Sequence, residues 1–209
     1  MRSKGILSSL LVLAGALMLV AALLLAGRNF YQEYEAGKSS SYLVEVLEDR
    51  MSSQTEGHEA AEETLTGMTP DYVINPEMEM PTAKIEGNEY IGLLQIPALG
   101  LELPVNSEWS YPKLELSPCH YSGSAYTGGF TIAGHNYSTH FGPLENLVPG
   151  NEIAFTDVKG RVFSYTVQAV ETVEATAVED MISEEWDLTL FTCTLSGQAR
   201  VAVRCMSVE

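Results

Sequence analysis

Basic side chains are scarce in this chain. Eleven Lys and Arg stand against 28 Asp and Glu among 209 residues, a net charge of −17. Such a surface repels nucleic-acid phosphates and gains nothing from anionic lipid headgroups, which excludes both as principal targets. Cysteine is scarcer still. Cys119, Cys193 and Cys205 are too few for a disulfide framework, and an odd number in an extracellular chain leaves at least one thiol unpaired. Cys119 and Cys205 could pair with each other, subject to a distance that sequence does not give.

Charge of either sign is missing from Ile6 to Ala26, where only Ser8, Ser9 and Gly15 interrupt the apolar run. About 20 such residues cross a bilayer core, so this stretch reads as a transmembrane helix. It lacks the short core and small-x-small site of a cleaved signal, which favours a retained anchor. Arg2 and Lys4 precede the span and an acidic chain follows it. The positive-inside rule then expects a single pass, with the N-terminus cytoplasmic and everything after about Arg28 outside the cell membrane.

Residues 1–27 are therefore read as cytoplasmic tip and anchor. Residues 28–87 lack sustained apolar periodicity, apart from a helical piece around Tyr42 to Met51, and contain serine runs, Glu59, Glu62, Glu63, Pro70, Pro76 and Pro81. Burial there would hardly offset the entropy of ordering, so the segment is expected to be a largely disordered extracellular stalk. From residue 88 to 209 the texture changes to short β-rich runs between turn residues. The strands expected are Tyr90–Ile96, Leu101–Val105, Phe130–Ala133, Glu152–Thr156, Val162–Val173, Leu188–Cys193 and Arg200–Ser207, with one helical turn at Pro143–Leu147. About 120 residues suffice for one core, and the periodicity by itself gives an all-β domain.

Cys193 ends the strand-like run Leu188-Thr189-Leu190-Phe191-Thr192-Cys193, where a thiol can be both held and exposed. Thiolate attack on a carbonyl needs a nearby cation, a proton donor for the leaving group and a donor for the oxyanion. Of four histidines, His58 falls in the expected stalk and His120 and His140 in loops. His135 follows the apolar Phe130-Thr131-Ile132-Ala133 run directly after Gly134, as a side chain presented at a barrel rim would. His120 adjoins Cys119, but adjacent strand residues face opposite ways, which disfavours that pair as a dyad.

The order Ala133-Gly134-His135-Asn136, then Thr-Leu-Phe-Thr-Cys ending at Cys193, then Arg200, resembles the sortases, the cysteine transpeptidases of the Gram-positive cell surface. Ile91-Gly92-Leu93-Leu94-Gln95-Ile96-Pro97 and Leu101-Glu102-Leu103-Pro104-Val105 are similar to that family's opening strands, and His120-Tyr121-Ser122-Gly123-Ser124 and His140-Phe141-Gly142-Pro143-Leu144 to the segments around its histidine. The resemblance implies an eight-stranded β-barrel with short helices, preceded by the transmembrane helix and stalk. It implies Cys193 as nucleophile, His135 as acid–base, Arg200 at the oxyanion and Thr192 orienting substrate. The implied reaction cleaves an LPxTG-like sorting signal through a thioester and passes the protein to a cell-wall amine acceptor, with no organic cofactor. Some sortases use acidic residues near the catalytic strand to help bind calcium. Here Glu171, Glu174, Glu179, Asp180, Glu184 and Glu185 are instead expected to be a solvated loop, and no metal site is assigned.

Other absences refine this reading. No second apolar span follows and no Asp-Pro-Trp lid segment is found, which argues against a pilus-polymerising type. Papain-like peptidases place Cys before His, the reverse of this order, and the Ser-x-Gly-Cys setting of L,D-transpeptidases is missing. A non-enzymatic anchored β-domain binding a wall component would not require Cys193. Arg200 and Arg204 share a strand face, so parity does not choose between them. The short Thr194–Ala199 segment suits an antiparallel return that sets Arg200 opposite Cys193 and Arg204 opposite Thr189, about 13 Å farther along.

Overall fold

The structure, a computed structural model, describes residues 3–62 and 69–208 and divides into two units, Met1–Glu35 and Ala36–Glu209. Helix α1 (Ser3–Glu62) begins in the first unit and continues into the second. Its side chains from Leu11 to Leu25 are exposed on every side. An all-round apolar helix has no favourable solvent in water, so this segment is a candidate membrane anchor.

The second unit continues with α2 (Asp71–Ile74), β1 (Ala83–Ile85), β2 (Asn88–Ile96), β3 (Leu101–Asn106), α3 (Tyr111–Leu114), β4 (Cys119–Ser124), β5 (Gly128–Ala133), β6 (Glu152–Asp157), β7 (Val162–Glu174), α4 (Val178–Met181), β8 (Leu188–Cys193) and β9 (Ala199–Ser207). The strands run in the order β1-β2-β3-β4-β5-β8-β9-β7-β6, and β6 returns to pair with β2. Strands β2 to β9 thus close into the expected eight-stranded β-barrel, and closure removes the open edges at which sheets aggregate. The short β1 adds to the start of β2. Closure requires close approach at Gly92, where a Cβ would lie 2.1 Å from the Thr156 carbonyl oxygen.

Alternation along each strand fills the barrel. Phe130 and Ile132 of β5, Leu188 and Leu190 of β8, and Val201, Val203 and Cys205 of β9 belong to the interior cluster, where the Phe130 and Phe155 rings meet edge to face at 4.9 Å. The residues between them face outward. β8 follows its expected bounds and the other strands differ at their ends by one or two residues. A 3₁₀ turn at Gly142–Asn146 replaces the helical turn expected one residue later. β4 was not among the expected strands. Its Cys-His-Tyr-Ser-Gly-Ser sequence has little β-branched character, and pairing with β5, with two shifts of register, holds it.

The expectation of a largely disordered stalk needs correction over much of its length. Residues 36–51 are helical, and Ala36, Ser40, Leu43 and Leu47 are buried. Their spacing of four, three and four places them on one helix face. Leu43 and Leu47 pack with Ile85, Tyr90, Leu93 and Val158 in a cluster outside the barrel. Those partners are distant in sequence, so the local pattern alone did not disclose them. Farther on, Arg161 pairs with Asp71 of α2 and lies over the Tyr72 ring, 5.1 Å from its centroid. Glu63 and the side chains of His58, Glu59 and Glu62 lie outside the described residues.

Because Leu47 is fully buried, Leu47→Ala should cost about 2–5 kcal/mol, the range for removing a core leucine. Urea unfolding of the full chain measures this. A loss below about 1 kcal/mol would mean that the helix is not packed in solution.

Candidate active site

Three neighbouring strands bring the chemistry to one rim. β5 and β8 are parallel, with Phe130 opposite Leu188 and Ala133 opposite Phe191, and the Gly134 N–H donates to the Phe191 carbonyl at 3.0 Å. His135 and Cys193 therefore follow at the same level on adjacent chains, whose usual spacing is ~4.8 Å. β8 and β9 are antiparallel, with Cys193 directly opposite Arg200 and Thr189 opposite Arg204. This is the register expected from the length of the Thr194–Ala199 segment.

Gly134 is fixed by packing. A Cβ there would lie 2.3 Å from Cδ2 of the buried Phe141 ring, so only glycine can precede His135 in this arrangement. Phe141 N–H also donates to the His135 carbonyl at 3.0 Å, which closes the loop on itself. The His135 ring is half-buried and stacks on Tyr137, with centroids 3.8 Å apart and planes 15° apart. Burial lowers its basicity below that of an ordinary imidazole, opposed by the Glu115 charge and the neighbouring Asn136 side chain. Its Nδ1 is buried without a hydrogen-bond partner among the described residues.

All three cysteines are free thiols, so Cys119 and Cys205 are not bridged. Cys119 and Cys205 are fully buried, and burial pushes their thiols up to about 11 and about 12. Cys193 alone is exposed. Arg200 is partly exposed and its Nη1 donates to the carbonyls of Gly197 (3.2 Å) and Ala199 (3.0 Å). Nε and Nη2 remain for another acceptor. Arg204 is buried and committed, pairing with Glu171 at 2.7 Å and donating to Thr189 Oγ1 at 3.3 Å. Thr192 lies on the opposite side of its strand from Cys193, and its buried Oγ1 has no hydrogen-bond partner among the described residues.

The other histidines are held elsewhere. His120 touches the carbonyls of Ser107 (3.3 Å) and Gly123 (2.7 Å), and the fully buried His140 meets Ser40 Oγ at 3.0 Å. Among the described residues no three His, Cys, Asp or Glu side chains gather as a metal-binding group, and Glu171 of the acidic run is taken by Arg204. Beside the rim lies an apolar wall that sequence reasoning missed. Ala133, Met181, Phe191 and Ala202 cluster there, and a chain of edge-to-face contacts links Phe191 to Tyr121 (5.2 Å), Tyr121 to Trp109 (6.0 Å) and Trp109 to the exposed Tyr111 (5.1 Å). The signal was alternation: Phe191 and Cys193 must share a face.

A family model described as the Sortase domain matches residues 94–208, more than half of the chain. The chain belongs to the sortase family. It is 27% identical over 194 residues to Sortase A of Bacillus anthracis, covering 85% of this chain and 83% of that protein. Among solved structures, sortase C1 of Streptococcus agalactiae is 25% identical with a TM-score of 0.54 over 68% of this chain and 78% of its own. A lid mutant of Sortase A from Corynebacterium diphtheriae is 26% identical with a TM-score of 0.52, covering 66% and 75%. The sortase is accordingly a cysteine transpeptidase in type.

At pH 8 iodoacetamide should alkylate Cys193 of the native sortase, while Cys119 and Cys205 react only in denaturant. The sign follows from their raised values. Both thiols stay protonated in the fold, so their contribution to stability is full below ~8.5 and is lost as pH climbs toward about 11 and about 12. Equal labelling of all three by peptide mass would contradict this burial.

Proposed function

We propose that this sortase cleaves an LPxTG-like sorting signal and transfers the protein to a cell-wall precursor amine. The observation that carries the reading is the convergence of His135, Cys193 and Arg200 at the ends of three adjacent strands. The Cys193 thiolate attacks the scissile carbonyl and forms a carbon–sulfur bond. As the tetrahedral intermediate collapses, the carbon–nitrogen bond breaks and His135 supplies the proton the departing amine needs. The incoming amine then attacks the thioester, gives a proton to His135 and expels the thiolate. Arg200 donates to the oxyanion in both halves through the nitrogens that its loop contacts leave available.

The apolar wall of Phe191, Tyr121 and Met181 suits the leucine and proline of such a signal. Thr192 serves as a positioning residue for the strand end, since its hydroxyl is directed away from the thiol's side. The N-terminal helix serves as a single-pass anchor with its end in the cytoplasm and the barrel outside. Arg2 and Lys4 before the uncharged span support that orientation. Protease added to intact protoplasts should digest the barrel and spare the extreme N-terminus. A barrel protected until lysis would overturn this topology.

The mechanism is tested on sorting peptides by intact mass and turnover. Cys193→Ala should abolish the thioester, and His135→Ala should lower turnover roughly 10²–10⁴-fold. Arg200→Ala should lower kcat/KM by about 10²-fold or more, the scale for losing an oxyanion donor. Arg204→Ala should act by emptying the buried space of the guanidinium and removing its hydrogen bonds to Glu171 and Thr189, reducing stability more than chemistry. A larger loss of kcat/KM in Arg204→Ala than in Arg200→Ala, at matched folded fraction, would reverse the assignment.

A further inference from the structure

Helix α1 meets the loop that follows His135. A Cβ on Gly37 would lie 2.9 Å from Thr139 Cγ2, and one turn on Ser40 Oγ meets Nε2 of the buried His140 at 3.0 Å. The same hydroxyl donates to the Leu116 carbonyl at 3.1 Å. A hydroxyl has one proton, so in this contact the His140 Nε2–H is the donor to Ser40. Buried polar pairs of this kind add little net stability compared with an apolar pair, but they specify one register.

From His140 the link returns to His135. His140 N–H donates to the Tyr137 carbonyl at 3.0 Å, and Gly142 N–H to the same oxygen at 2.9 Å. The Tyr137 ring is 5.6 Å from that of His140 on one side and stacks at 3.8 Å on that of His135. Tyr137 is itself buried, so its ring forms a fixed wall against one face of the imidazole.

We propose that Ser40, His140 and Tyr137 are positioning residues that set the His135 ring, making the docked segment of α1 part of the working active site. This rests on the reading of His135 as the acid–base group. The helix that leaves the candidate anchor thereby acts on the reaction, through residues about 100 positions away in sequence.

The test uses the full chain in detergent micelles, with a sorting peptide, a pH series and the His135 ring resonance identified by its loss in His135→Asn. Ser40→Ala and His140→Leu should lower kcat on the order of 10-fold with KM held within about twofold, as misalignment of a catalytic group does. The limb of kcat/KM that His135 sets should move to higher pH, because a loosened stack lets water reach a ring whose basicity is lowered chiefly by burial, against the Glu115 charge. His140→Gln, which keeps a donor near the Nε2 position, should recover most of kcat and return the resonance. If His140→Leu does not fold, Tyr137→Leu against Tyr137→Phe decides the same point, the phenylalanine retaining the stack and the activity. Folded variants with kcat, the His135 limb and ring resonance all unchanged overturn the proposal while leaving the acid–base reading intact. Full turnover in His135→Asn overturns that reading, and this proposal with it.

Discussion

The parallel pairing of β5 with β8 is the constraint on which the active end of this molecule depends. A parallel pair cannot be joined by a hairpin, and the chain between the two strands is spent on β6, β7 and α4. What that detour secures is direction. Both strands finish at the same rim, so the residues just beyond them, His135 and Cys193, emerge together. In an antiparallel pair of six-residue strands, the two ends would sit at opposite rims, roughly 17–20 Å apart. The antiparallel turn from β8 into β9 then returns Arg200 to the same level with no further long connection.

Much of this arrangement was legible in the sequence because strands and short returns are local. The Leu188–Cys193 run announces its bounds by composition, and the length of Thr194–Ala199 fixes which arginine lies across from the thiol. β4 escaped notice because its residues carry little strand preference of their own, and its place is set by β5. The helical piece around Tyr42 to Met51 was legible, but its docking escaped for a similar reason. Ala36 and Ser40 are weak markers of an apolar face, and the surface that gives the face its value is formed by Tyr90, Leu93 and Val158 from a fold not yet assembled. Alternation alone puts Thr192 on the face opposite Cys193, but sequence could not show that its hydroxyl is buried there without a partner among the described residues.

Residues of one chemical type are sorted into different uses by depth. Three thiols share a chain, and burial holds two of them in the protonated form while a strand end exposes the third. Two arginines lie four apart on one face, and Glu171 and Thr189 engage the deeper one. A buried guanidinium without a carboxylate would be strongly destabilising, so the Arg204–Glu171 pair is what permits a basic residue in that layer. Arg200 has no such debt because it remains partly solvated and rests on two carbonyls.

The same depth gradient explains why the rim, and not the barrel interior, can support acyl transfer. The interior is close-packed, and a charged intermediate there would meet the full cost of desolvation. At the rim the ladder still holds the backbone, up to Ala133 in β5 and to the Cys193–Arg200 pair between β8 and β9, while the side chains of His135, Cys193 and Arg200 reach solvent in part or in full. Buried polar atoms without partners among the described residues, His135 Nδ1, Thr139 Oγ1 and Thr192 Oγ1, occur in this same region. Each unmet atom costs about 1–3 kcal/mol, so the barrel below must over-determine their positions for the arrangement to persist. The closed ladder of eight strands does so, which allows the Cys193 thiol to be exposed without being loosely held.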